Sequence, residues 1–191
     1  MKTASMAIAM LFAASHLAQA QQSPPPPDIN ERSAASATGS PSQSRSRLSS
    51  EEFAEKAGAA GHAEVAMGKL GSQKAQSAAV KAYAEKMVAD HTKGNQELAT
   101  TAEAQGFDVP SSPDAMHKMM HEKFKLQKAD AEFDQDFMKQ MVKDHKAVIA
   151  LYETAVSDPD VDPTLQALAR KTLPTLRDHL AQAEKLADQP R

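Results

Sequence analysis

From Phe53 to Leu186 the apolar and small residues of this chain return every three or four positions, and nowhere do they alternate. A spacing of three and four brings side chains to one face of a helix, whereas a strand needs a period of two. The chain is confined to helical solutions. Ser49 or Ser50 can cap a first helix that opens with Glu51 and Glu52, acidic residues suited to the positive end of the helix dipole. Its seam runs Phe53, Ala57, Ala60, Glu64, Met67, Gly71, and a turn is expected near Gly71-Ser72. A second seam, Val80, Ala84, Met87, His91, Gly94, Leu98, ends near Gly106, after which Pro110 and Pro113 break the chain. A short helix from Pro113 to Leu126 carries Met116, Met119, Met120 and Phe124. A long helix over residues 131–157 has the seam Met138, Met141, His145, Val148, Tyr152, Ala155. The turn 158–163 leads to a last helix, with Pro163 at a permissible first-turn position and the seam Leu165, Ala169, Thr172, Leu176, His179, Ala183, Leu186. Pro174 within it is expected to kink the axis. Two hairpins of long helices, joined by a connection with one short helix, predict an all-α four-helix bundle over residues 50–187.

Two segments precede the bundle. Lys2 and the apolar run 7–14, followed by Ala18-Gln19-Ala20, form a signal peptide over residues 1–20, with cleavage expected after Ala20. His16 and Gln19 interrupt the run well short of the roughly 20 apolar residues a membrane span needs. Export to the periplasm or outside the cell follows as an expectation. Residues 21–49 hold Pro24-Pro25-Pro26-Pro27, many serines and few large apolar side chains, so a disordered Pro/Ser-rich leader is expected there.

Composition removes several chemistries. The chain has 191 residues, 22 Lys+Arg against 25 Asp+Glu and a formal charge of -3, without the basic excess of a nucleic-acid binder. Cysteine is absent, which excludes disulfides, thiolate nucleophiles and cysteine-held zinc. No glycine-rich phosphate loop or nucleophile elbow is present. Composition assigns no reaction.

The two hairpins echo one another. Met87-Val88-Ala89-Asp90-His91 reappears as Met141-Val142-Lys143-Asp144-His145, and Asp178-His179 supplies a third Asp-His pair. Laying the first hairpin on the second places Glu64 on His145 and His91 on His179, so Glu64, His91, His145 and His179 fall at comparable heights on their seams. These residues, with Phe53, Phe133-Asp134 and the run Leu173-Pro174-Thr175-Leu176-Arg177-Asp178-His179-Leu180, resemble the family called domain of unknown function 4142. The resemblance covers about residues 50–187 and implies a ferritin-like helical bundle in an exported bacterial protein. It implies no assigned activity; a non-catalytic envelope or stress-associated role, with an envelope protein as partner, is what the resemblance loosely implies.

Four such donors admit two readings. Neutral imidazoles and a carboxylate from four helices suit a core site for zinc, iron, manganese or copper. Equally, Glu64 and the histidines can satisfy one another as a buried polar network. A ferritin-type di-iron site needs Glu three residues before each ligand histidine, and Val88, Val142 and Leu176 stand there instead. Asp90, Asp144 and Asp178 each precede a histidine and are placed to orient neighbours from behind. His117 and His121, four apart among methionines, form a weaker local metal pair. Among the histidines after residue 20, His145 is expected to be the most buried, since Met141 and Val148 flank it.

Overall fold

The computed structural model describes residues 47–189; the expected signal peptide, residues 1–20, and residues 21–46 of the expected leader lie outside them. Five helices follow in order, α1 (Ser50–Lys74), α2 (Ala78–Glu103), α3 (Ala115–Leu126), α4 (Ala131–Ser157) and α5 (Pro163–Ala187), with no strand among the described residues. The start of α1 is held by a capping box: the Glu52 amide donates to Ser49 Oγ at 3.1 Å and the Ser49 amide donates to Glu52 Oε2 at 3.2 Å. Asp114, Asp130 and Asp162 accept from the first-turn amides of α3, α4 and α5. Pro163 sits in the first turn of α5, and Pro174 lies inside that helix without ending it.

The turn expected near Gly71-Ser72 is displaced. Helix α1 runs on to Lys74, and the chain reverses at residues 75–77. Gly71 is there for packing: a Cβ on it would come within 2.5 Å of the ring of Phe137 in α4. The positive-φ glycine of the described chain is Gly106, at φ 82°, just beyond the end of α2. Residues 47–49, expected in the leader, meet the bundle: Leu48 is buried, its amide donates to Asp158 Oδ2 at 2.9 Å, and Arg47 pairs with Asp160. A lone large apolar side chain at the leader's edge found a place in the core.

Helix α1 packs on α2 and α4, α5 packs on α4 and α2, and α3 leans on α1. The long helices therefore form a ring in the order α1, α2, α5, α4. Phe53 near the start of α1, Leu98 near the end of α2, Tyr152 near the end of α4 and Leu165 at the start of α5 share one apolar cluster. A second cluster joins Met67, Tyr83, Phe133, Phe137, Met141 and Ala183, from the opposite halves of the same helices. Helices α1 and α5 consequently run one way and α2 and α4 the other, so the connection through α3 must travel the length of the bundle. Between the two apolar clusters lies a layer that neither includes: Glu64, His91, His145 and His179, all buried. No helix among the described residues is long and apolar enough to cross a membrane.

Candidate metal centre

A polar layer midway along an apolar bundle is costly to build, because each imidazole must leave water without a full set of partners. The seams bring three of them together. Ring centroids of His91 and His179 are 5.3 Å apart, those of His145 and His179 5.5 Å, and those of His91 and His145 5.7 Å, a nearly equilateral triangle drawn from α2, α4 and α5. One ring nitrogen of each lies within 4.8 Å of one from each of the others.

Hydrogen bonds decide which nitrogens are free. His145 Nδ1 is 2.8 Å from the Met141 carbonyl, an acceptor only, so Nδ1 carries the proton and Nε2 presents its lone pair. His179 Nε2 is 2.8 Å from Asp90 Oδ2 and donates to it, which leaves Nδ1 as the open acceptor. Lys86 Nζ reaches the same Asp90 oxygen at 2.6 Å and sits 3.1 Å from His179 Nε2. His91 Nε2, His145 Nε2 and His179 Nδ1 are buried and have no hydrogen-bond partner, and neither has Glu64 Oε2. Backbone carbonyl and carboxylate behind an imidazole are the partners that orient metal-ligating histidines.

The electrostatics keep those lone pairs available. Burial, together with the neighbouring His145 and His179, pushes the His91 imidazole down to about 3. Burial takes His145 down to about 4, against the pull of its bond to Met141. His179 is lowered as well, by burial and then by the Lys86 cation, with Asp90 opposing. Burial raises the Glu64 carboxyl well above its ordinary range, and the Asp144 charge adds to the effect. At neutral pH the layer thus presents three uncharged imidazoles beside a carboxyl that resists ionisation.

The remaining named residues fall elsewhere. Glu64 is not part of the three-histidine group; its Oε1 approaches His145 at 3.9 Å, on the Nδ1 side. It does line a small cavity of 40 Å³ with His91, His179 and Tyr152. Of the three aspartates only Asp90 touches a seam histidine: Asp144 accepts from Gln140 and Asp178 from Gln182, along their own helices. His117 pairs with Asp114 at 2.9 Å and His121 with Glu122 at 3.6 Å on α3, and no third donor joins them in a group of three among the described residues. Met116 and Met119 project from α3 at 72% and 69% exposure, away from any packing role. His179 is fully buried at 0% exposure, level with His145 at 1%, and Tyr83 meets it edge-on. Lys86 is the member that sequence reasoning passed over; its i,i+4 spacing to Asp90 was the available signal.

No curated protein and no solved structure matches this chain. The model of one family, described as a domain of unknown function (DUF4142), matches residues 33–186, which takes in the four long helices, save the last residue of α5, and every residue of the histidine layer. The chain belongs to that family, domain of unknown function 4142.

Proposed function

We propose that this protein is an exported metal-binding bundle, in which His91 Nε2, His145 Nε2 and His179 Nδ1 hold one divalent transition metal ion. The observation that carries this reading is the convergence of three buried, neutral imidazoles whose outward nitrogens have no partner. Native interiors rarely leave such atoms unsatisfied. A simple polar network would have paired them, and leucine or methionine would have filled the layer at less cost. The donor set suits zinc, copper, iron and manganese, and it lacks the carboxylates of a di-iron centre. Export rests on the residue pattern of 1–20, and the single long crossover through α3 supports the ferritin-like arrangement.

A non-catalytic envelope or stress role shares the fold and the export and differs in leaving the histidines to one another. Elemental analysis of untagged protein separates the two. About one equivalent of a single transition metal is expected, and less than about a tenth of an equivalent, even after reconstitution, overturns the metal reading.

A further inference from the structure

A tetrahedral ion has four positions, and a closed structural site fills all of them with protein. The described residues supply three nitrogens and no fourth donor to the group. What borders His91 and His179 instead is the 40 Å³ cavity, with Glu64, whose Oε2 is buried and unpartnered, also on its wall. A water needs roughly 10–15 Å³ by this measure, so a molecule of two or three heavy atoms fits. The cavity adjoins a surface groove of 150 Å³ between α2 and α5, the two sharing Asp90, Gly94, Thr172 and Thr175 in their walls. Gly94 stands at this mouth in mid-helix, and a Cβ built on it would meet nothing within 4 Å. A helix-interior glycine is destabilising unless something else favours it, and here no neighbour requires it. The absence of a side chain there leaves the mouth open.

We propose, resting on the metal-binding reading above, that the tri-histidine centre is open: its fourth position faces the α2–α5 cavity and takes a small exogenous ligand, water or a linear anion of azide's size, which enters beside Gly94. Glu64 is the hydrogen-bonding group on the cavity wall for that ligand. Binding is a simple ligand exchange, in which a water leaves the ion as the anion arrives. The three histidines stay bound throughout.

The test uses the full chain loaded with cobalt(II), its cobalt content measured before azide is added and its visible absorption followed as azide is titrated and rapidly mixed. A saturable response at one azide per cobalt is expected. Gly94→Leu should retain its cobalt and take up azide roughly ten-fold more slowly, while Gly94→Ala stays within about two-fold of wild type. Thr175→Leu, on the exposed α5 side of the mouth, is the second plug should Gly94→Leu fold poorly. Cobalt-loaded protein whose spectrum ignores saturating azide overturns the open position and leaves the metal reading intact. Wild-type rates in both plugged variants overturn the route. Protein that takes up no cobalt overturns this inference together with the reading it rests on.

Discussion

Asp90 Oδ2 accepts from His179 Nε2 at 2.8 Å across the α2–α5 interface, and this bond turns the other ring nitrogen of His179 toward the histidine cluster. Burial alone would raise the Asp90 carboxyl; the hydrogen bonds from Lys86 and His179 hold it below its ordinary range instead. Asp90 is thus a carboxylate behind a ligand histidine, fixing its tautomer and strengthening it as a donor. Asp90→Ala is expected to weaken metal binding by about 10–100-fold, read by competition with a chelator. The pair with Lys86 is screened, since 35% of the Asp90 side chain is exposed, but the buried His179 Nε2–H loses its acceptor, so folding stability in the metal-free protein should fall by about 1–3 kcal/mol. A large loss of stability with unchanged metal affinity would make Asp90 a structural partner only.

Acid should destabilise the metal-free protein. An unfolded histidine takes up a proton near pH 6.5, as any exposed imidazole does. In the folded bundle His145 stays neutral down to about 4 and His91 to about 3. Between those limits the unfolded chain binds more protons, so stability is present above the unfolded value and falls as the pH drops, by up to about 1.4 kcal/mol per group for each pH unit. Glu64 works in the opposite sense, since its raised folded value favours the folded state at low pH and loses that advantage as pH rises. Two histidines outweigh one carboxyl. Urea midpoints measured from about pH 7 down to about pH 4.5 should decline, and His145→Leu should flatten the decline. A profile unchanged by His145→Leu would contradict the burial of a neutral imidazole there.

The same substitution separates a ligand from a core residue. Without metal, His145→Leu replaces a buried polar group by an apolar side chain and is expected to leave stability unchanged or improved. With metal, wild type gains about 2.7 kcal/mol when free ion is a hundred-fold above its dissociation constant, and the variant gains none. Differential scanning calorimetry with and without zinc reads both arms. An equal metal-induced rise in both proteins would place the ion elsewhere.

How much of this was legible before the structure follows from what is local. Ser49 with Glu52, and Pro163 after Asp162, are signals written within one helical turn, and those helix starts fell where they were read. Gly71 misled because its partner, Phe137, belongs to another helix, and a glycine that makes room looks like one that ends a helix. The seams put His91, His145 and His179 on inward faces, which needed only the helical period. Which of Asp90, Asp144 and Asp178 would meet a histidine depended on the ring order of the helices. That order puts α2 beside α5 and so brings Asp90 to His179. Neither the tautomers nor the place of Lys86 could be read without it.

The turn leading into α2 is held from another helix. Ser77 is the N-cap residue of α2 but makes no side-chain cap, and the buried carboxylate of Asp134 in α4 accepts instead from Gln76 N at 2.9 Å and Ser77 N at 2.7 Å. Asp134→Ala leaves two partly buried amides without their carboxylate, and about 1–2 kcal/mol should be lost in urea unfolding, with metal content unchanged. Ser77→Ala, which removes no such bond, should cost less than about 0.5 kcal/mol. Comparable losses from the two would mean that Ser77 caps its own helix.

Two helix-interior glycines make opposite predictions. Alanine is favoured over glycine in a helix by roughly 1 kcal/mol, mostly because glycine loses more backbone freedom on folding. At Gly94 a Cβ meets open space, so Gly94→Ala should realise that gain and raise stability by about 0.5–1 kcal/mol. At Gly71 the new Cβ would lie 2.5 Å from the Phe137 ring, which is 0% exposed and packed face to face with Phe133 at 5.9 Å. A fully buried, stacked ring has nowhere to retreat, and forcing extra volume into a packed core costs about 1–3 kcal/mol. Overpacking exceeds the propensity gain, so Gly71→Ala should lower stability. Phe137→Leu should partly rescue it, because a smaller side chain returns the space the methyl group takes. Measured by urea unfolding, a stabilising Gly71→Ala would show that α1 and α4 can separate at this level, and that the contact with Phe137 does not explain why α1 carries a glycine there.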